Sequence, residues 1–168
     1  IYFDLSIVAN VLNGISEFTP ASEEQLAQIA GLDNPAYLET VKEKNTELLA
    51  KIEQNKKKTG FTINEAGEVS NEDLFASIIS KYRGHTLLVD FWATWCGPCR
   101  TANKAMIPMK EELKDKDIVY VYLTGETSPK GTWENMIPDI HGEHFRVTDE
   151  QWSYLTVSYT HLRAHETR

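Results

Sequence analysis

The chain holds two cysteines, Cys96 and Cys99, two residues apart inside LLVDFWATWCGPCR, residues 87–100. An apolar run leads into the pair and a helix-like segment follows it, so strand, thiol-bearing turn and helix come in that order. The first turn of a helix offers unpaired N–H groups and a partial positive charge, both of which lower a thiol's pKa. Cys96 falls where that turn begins. Cys99 lies one turn later, within reach of a mixed disulfide formed on Cys96, so release becomes an intramolecular step. Pro98 suits a first turn, where its missing N–H costs nothing, and Gly97 lets a substrate approach closely. With no further cysteine there is no stapling framework, and a loop this short gains little from closure. The pair is therefore to be explained by chemistry, by metal or by chance.

The surrounding pattern alternates strand and helix signals. TLLVDFW is nearly continuous in its apolar character and predicts a strand buried on both faces of a sheet, at the C-terminal end of which α/β folds place their ligands. IVYVYL, residues 118–123, predicts a second such strand. Between them Ala102, Met106, Met109 and Leu113 form a helical stripe, with Pro108 expected to kink it. Strand, helix and strand in this order make a βαβ unit with parallel strands and a right-handed crossover. FTINEAGEVS reads as a short strand or hairpin around Gly67, and NEDLFASIISKYRG as an Asn-initiated helix closed by Gly84. GTWENMI and DEQWSYL read as further helices, with HGEHFRV a loop or short strand between them. Upstream, TPASEEQLAQIA resembles a capped helix start with Gly31 as its stop. A second helix is expected from Pro35 to Lys57, with Leu38, Val41, Leu48 and Ile52 on one stripe and Asn45 on the same face. KKKTG marks its solvated end and a boundary.

Charge narrows the partners. The 168 residues carry 17 Lys and Arg against 25 Asp and Glu, a net charge of −8, which leaves no basic stripe for phosphates and argues against nucleic acid. The opening IYFDLSIVANVLNGISEF is interrupted by Asp4, Asn10 and Asn13, whereas a spanning helix wants about 20 mostly apolar residues, so no spanning segment is expected. His141 and His144 add an H-x2-H to the cysteine pair, and two Cys with two His can close a tetrahedral zinc site. The interval of 41 residues and the apolar strand before Cys96 argue against a finger-like loop; ordinary loop hydrogen bonds are expected for both histidines. A zinc-binding or interaction module built on these four residues stands as the alternative function. His85 reads as a solvated turn residue, Trp92 and Trp133 as packing aromatics, and TGETSP as a turn that could shape a loop near the pair. His161 and His165 are spaced i, i+4 but are not expected to bind metal.

VDFWATWCGPC resembles the active-site signature of thioredoxin-like proteins. FWATWCGPCR is most similar to the TlpA/ResA-like thiol-disulfide oxidoreductases of bacterial envelopes, and residues 122–155 resemble the region that follows the motif there; the likeness covers about residues 61–156. It implies an α/β, three-layer thioredoxin-like fold. It also implies roles: Cys96 as nucleophile, Cys99 as resolving thiol, Trp95 as support for the exposed turn and Asp90 as the buried acid beneath it. A carboxyl on a doubly buried strand prefers to be neutral and could exchange a proton with Cys99. The implied activity is cofactor-free and metal-free dithiol–disulfide exchange on protein disulfides, as a reductase, with a disulfide-forming oxidase as the rival direction. The implied partners are protein disulfides and an upstream thiol reductant, on the periplasmic side of the envelope.

The likeness also sets an expected organisation: residues 1–58 as the helical part of an N-terminal region, 59–156 as a partial thioredoxin-like domain, and 157–168 as a non-native tail. The family's core continues into a cis-proline loop, two antiparallel strands and a helix. TVSYTHLRAHETR has no such pattern, so the domain is expected to be incomplete at its C-terminus and the Asp90 strand to lie at a sheet edge. A start at Ile1 suggests further sequence upstream, including any signal region.

Overall fold

A computed structural model describes the backbone of residues 2–166 and the side chains of residues 4–158. The chain divides into two compact units, residues 1–58 and 59–168. The first is helical: α1 (Tyr2–Ser16), α2 (Glu23–Ala30) and α3 (Pro35–Asn55). Spacings of three and four put Val8, Val11 and Ile15 of α1 on one buried stripe, with Asn10 and Asn13 exposed, and these join Ile29, Val41 and Leu48 in a single apolar cluster. Ser22 caps α2, accepting the Gln25 backbone N–H while Gln25 returns the bond, a capping box, and Gly31 closes the helix. On α3, Leu38 and Ile52 pack on the cluster as expected, and Asn45 Oδ1 accepts the Ala21 N–H at 2.8 Å. The helix stops at Asn55, two residues before Lys57. Among the described residues no helix is long and apolar enough to cross a membrane.

The second unit runs β1 (Phe61–Asn64), α4 (Asn71–Ser80), β2 (Thr86–Phe91), α5 (Gly97–Glu112), β3 (Ile118–Thr124), α6 (Lys130–Met136), a 3-10 turn at Ile137–Asp139, β4 (Gly142–Arg146) and α7 (Asp149–Glu166). The sheet order is β1-β4-β3-β2 with every pair parallel. FTINEAGEVS is thus a strand paired with β4 and not a hairpin, and HGEHFRV supplies that fourth strand. Ser70, not Asn71, caps α4, accepting the Asp73 N–H; the helix ends at Ser80, and Gly84, at φ +92°, belongs to the turn before β2. α7 extends past DEQWSYL to Glu166, and the His161 and His165 pair lies outside the described side chains.

Alternation along the strands makes two unlike faces. Val89, Phe91, Val119, Val121, Leu123 and Phe145 point one way and pack with Leu74 and Ile78 of α4 and Leu155 of α7. Each fully buried side chain of this kind stabilises the fold by about 1.5–3 kcal/mol. The opposite face carries Asp90, Tyr122 and His144 in one register row across three strands, covered by α5. Helices on both faces make the three-layer α/β/α arrangement.

Two expectations are corrected here. β2 is half-buried, not buried on both faces, because within the described sheet it pairs only with β3; β3, paired on both sides, is the strand with a buried run, Val121–Thr124. The apolar stripe on α5 is also corrected at one position: Ala102 is exposed and Asn103 is the buried residue of the helix, with Cys99, Met106, Met109 and Lys110, and Leu113 at the helix end, half-buried. A buried polar residue suits a helix that lies on the polar face of the sheet. α5 runs through Pro108 to Glu112.

Candidate active site

β2 gives way to Trp92, Ala93 and Thr94, all buried, and then to Trp95, which is 65% exposed. Trp92 N–H still donates to Leu123 O at 3.0 Å, so the turn starts from a fixed sheet register. Cys96 is the N-cap of α5 and its Sγ accepts the Cys99 N–H at 3.3 Å, with Gly97 and Pro98 exposed in the first turn. Cys96 and Cys99 are joined in a disulfide, and both are half-buried. The position is one where a negative sulfur at Cys96 meets the positive end of a sixteen-residue helix.

A second segment clasps this turn. Thr94 N–H donates to Ser128 Oγ at 3.1 Å, and the same hydroxyl lies 2.8 Å from Thr124 Oγ1. Arg146 Nε and Nη2 donate to the carbonyls of Ser128 and Glu126, at 3.1 and 3.2 Å. Trp95 Nε1 donates to Thr127 Oγ1 at 3.3 Å. TGETSP therefore does shape the site. Ser128 and Arg146 went unread in the sequence: two hydroxyls four residues apart at a strand end mark a local turn, but nothing local shows that the turn is tied to residue 94.

Beneath α5, burial pushes the Asp90 carboxyl up, and the Lys110 ammonium holds it down in part. Burial likewise pushes Lys110 down to about 8, against the pull of Asp90. Lys110 Nζ stands 4.4 Å from the Tyr120 ring centre and 4.7 Å from that of Tyr122, and donates to His141 O. Burial raises the Tyr122 phenol, with Asp90 adding to the effect. His144 is fully buried; burial lowers its pKa to about 4, and its Nε2–H donates to Ile140 O at 2.7 Å. Its ring stacks on Tyr122 at 5.0 Å.

The four residues of the zinc reading are not gathered: among the described residues there is no cluster of three or more His, Cys, Asp or Glu, and His144 Nε2 donates to the Ile140 carbonyl. His85 pairs with Asp117 at the surface, and Trp92 and Trp133 are buried packing residues.

Residues 66–136, from the loop before α4 to the end of α6, match the Thioredoxin family. That stretch, less than half of the chain, is similar to a thioredoxin domain. The chain's four-stranded parallel sheet with helices on both faces is a thioredoxin-like fold. The thioredoxin half of the likeness recurs in individual proteins. The chain is 34% identical over 87 residues to the bifunctional thioredoxin reductase/thioredoxin of Mycobacterium leprae, covering 50% of this chain and 17% of that one. It is 42% identical over 65 residues to the M-type chloroplastic thioredoxin of Chlamydomonas reinhardtii, covering 39% and 44%. It is 33% identical over 60 residues to a thioredoxin of Coprinus comatus, covering 36% and 55%. The chain thus spans about half or less of the length of these relatives. No solved structure matches it significantly.

Proposed function

We propose that the protein is a thiol-disulfide oxidoreductase that reduces protein disulfides with the Cys96–Cys99 pair. The observation that carries this reading is the disulfide itself, seated at the N-terminus of α5 with Cys96 Sγ accepting a backbone N–H. In the reduced state the Cys96 thiolate attacks one sulfur of a substrate disulfide, forming a mixed disulfide and expelling the other sulfur, which takes up a proton. Cys99, deprotonated, then attacks Cys96 Sγ; the second substrate sulfur leaves and is protonated, and Cys96–Cys99 is oxidised. Two electrons and two protons pass to the substrate, and an upstream dithiol restores the pair. Trp95, tied to Thr127, braces the turn; Gly97 and Pro98 keep its outer side small and open. Asp90, with its raised pKa, is the proton acceptor for Cys99.

The finer assignment is to the TlpA/ResA-like branch on the periplasmic side of a bacterial envelope, supported by FWATWCGPCR. Reduction of a model protein disulfide by the intact chain with excess dithiothreitol tests the activity, with Cys96→Ser as the inactive control. Equilibration against glutathione buffers tests direction. A potential near thioredoxin's, about −270 mV, marks a reductase, and one near about −120 mV marks an oxidase.

A further inference from the structure

Asn103 is 8% exposed, and among the described residues neither its Nδ2 nor its Oδ1 has a hydrogen-bond partner. A buried carboxamide left unpaired is costly, and Asn is also a poor choice inside a helix. Other unpaired atoms near the site are Trp92 Nε1, the Tyr120 and Tyr122 hydroxyls and His144 Nδ1, on rings whose burial offsets the loss, and Thr94 Oγ1, whose methyl group is buried with it. Asn103 has only its amide, so packing gives no reason for it.

Its position does. Asn103 follows Cys99 by four residues on α5, so the two share one face of the helix. Helical side chains lean toward the N-terminus, which carries the Asn103 amide back over the turn that begins at Cys99. In this structure Cys99 Sγ is tied up in the disulfide. Reduction turns that sulfur into a group that can carry negative charge.

We propose that Asn103 Nδ2–H is the hydrogen-bond donor for the Cys99 thiolate. The inference rests on the dithiol exchange proposed above and assigns a further residue to it. When Cys99 gives up its proton, the amide stabilises the thiolate. When Cys99 Sγ bonds to Cys96 Sγ and the substrate sulfur leaves, the charge disappears and the amide is again without a partner, as seen here. The titratable groups facing this region are Asp90 from β2, Tyr120 and Tyr122 from β3, His144 from β4, and Lys110 and Cys96 from α5 itself.

The test uses the intact chain. In the wild-type protein the Asn103 side-chain amide proton resonance should move downfield on reduction and titrate together with Cys99; an amide indifferent to reduction across the titration overturns the proposal. In a Cys96→Ser background, Asn103→Ala should raise the Cys99 thiol pKa by about one unit, a tenfold loss of thiolate below it, read from alkylation rate against pH. Asn103→Ser, which keeps a donor, should restore most of the shift. Asn103→Ala should melt no lower than its parent, since it removes two unpaired buried atoms; a lower melting point with an unmoved thiol pKa would make Asn103 merely structural. The alkylation readout needs no substrate. A moved pKa in a chain that fails to reduce protein disulfides would sink the proposed function alone, and an unmoved pKa in an active chain would sink this inference alone.

Discussion

Thr94 and Ser128 lie 34 residues apart in sequence, yet the backbone N–H of one is held by the hydroxyl of the other at 3.1 Å. The bond joins the loop that carries the cysteines to the loop that follows β3. Since Ser128 is fully buried and also meets Thr124 Oγ1, the hydroxyl fixes the start of the CGPC turn against the central strand of the sheet.

Replacing Ser128 by Ala leaves the Thr94 N–H without its partner in a buried place. Ser128→Ala should therefore lower stability by about 1–3 kcal/mol, read from urea midpoints, and slow disulfide reduction by loosening the turn. A variant as stable and as fast as the parent would show that the clasp carries nothing.

Glycine at 142 should be far less replaceable than glycine at 67, although both have positive φ. Gly142 stands at φ +145°, and an added Cβ would lie 2.6 Å from the Tyr120 carbonyl oxygen, part of the backbone of β3. Gly67, at φ +83°, has open space around it. Gly67→Ala should cost only the backbone strain, about 1–2 kcal/mol, and Gly142→Ala distinctly more, because β4 must shift off β3. Equal losses in thermal melts would contradict the register described here.

Much of this was legible in the sequence, for reasons visible in particular residues. The helix start at Cys96 followed from Gly97, Pro98 and the strand before them, and the parallel βαβ unit from two apolar runs flanking a helical period. The burial of Asn103 on α5 was not legible. Met106 and Met109 are half-buried as their spacing implies, but apolar Ala102 stood in the stripe where Asn103 is buried, because the polar alternation of Asp90, Tyr120 and Tyr122 dictates what the helix must present, and that row exists only once the strands are aligned. The same holds for Ser128 and Arg146, whose partners lie in other elements. β2 read as doubly buried because apolar content reports on side chains and says nothing of how many neighbours a strand finds.

His144 makes the fold sensitive to acid. Its folded pKa is about 4 against an ordinary 6.5, so between those values the unfolded chain takes up a proton that the folded chain refuses. Stability is therefore full above pH 6.5 and falls as pH drops toward 4, by up to about 3 kcal/mol. Asp90, with its folded pKa raised from 3.8, acts in the opposite sense as pH falls through its folded value. Denaturation series across this window should show the decline in the parent and a flatter curve in His144→Phe, which keeps a ring against Tyr122. Parallel curves would place the acid sensitivity elsewhere.

Asp90→Asn removes the counter-charge of Lys110, so the Lys110 pKa should fall below its value of about 8, as a side-chain NMR titration can read. In the proposed mechanism the same change slows the attack of Cys99 while the fold persists. Unchanged turnover from about pH 6 to 9 would leave Asp90 a structural residue.

Trapping the mixed disulfide tests the central claim most directly. Intact chains bearing Cys99→Ser or Cys96→Ser are mixed with a protein disulfide and quenched with acid, and covalent adducts are counted by mass. Cys99→Ser should accumulate an adduct through Cys96 that persists for want of a resolving thiol, and Cys96→Ser should form little. Adducts that build up on Cys99 instead, or on neither variant while the parent still reduces the substrate, would contradict the assignment of Cys96 as the attacking sulfur.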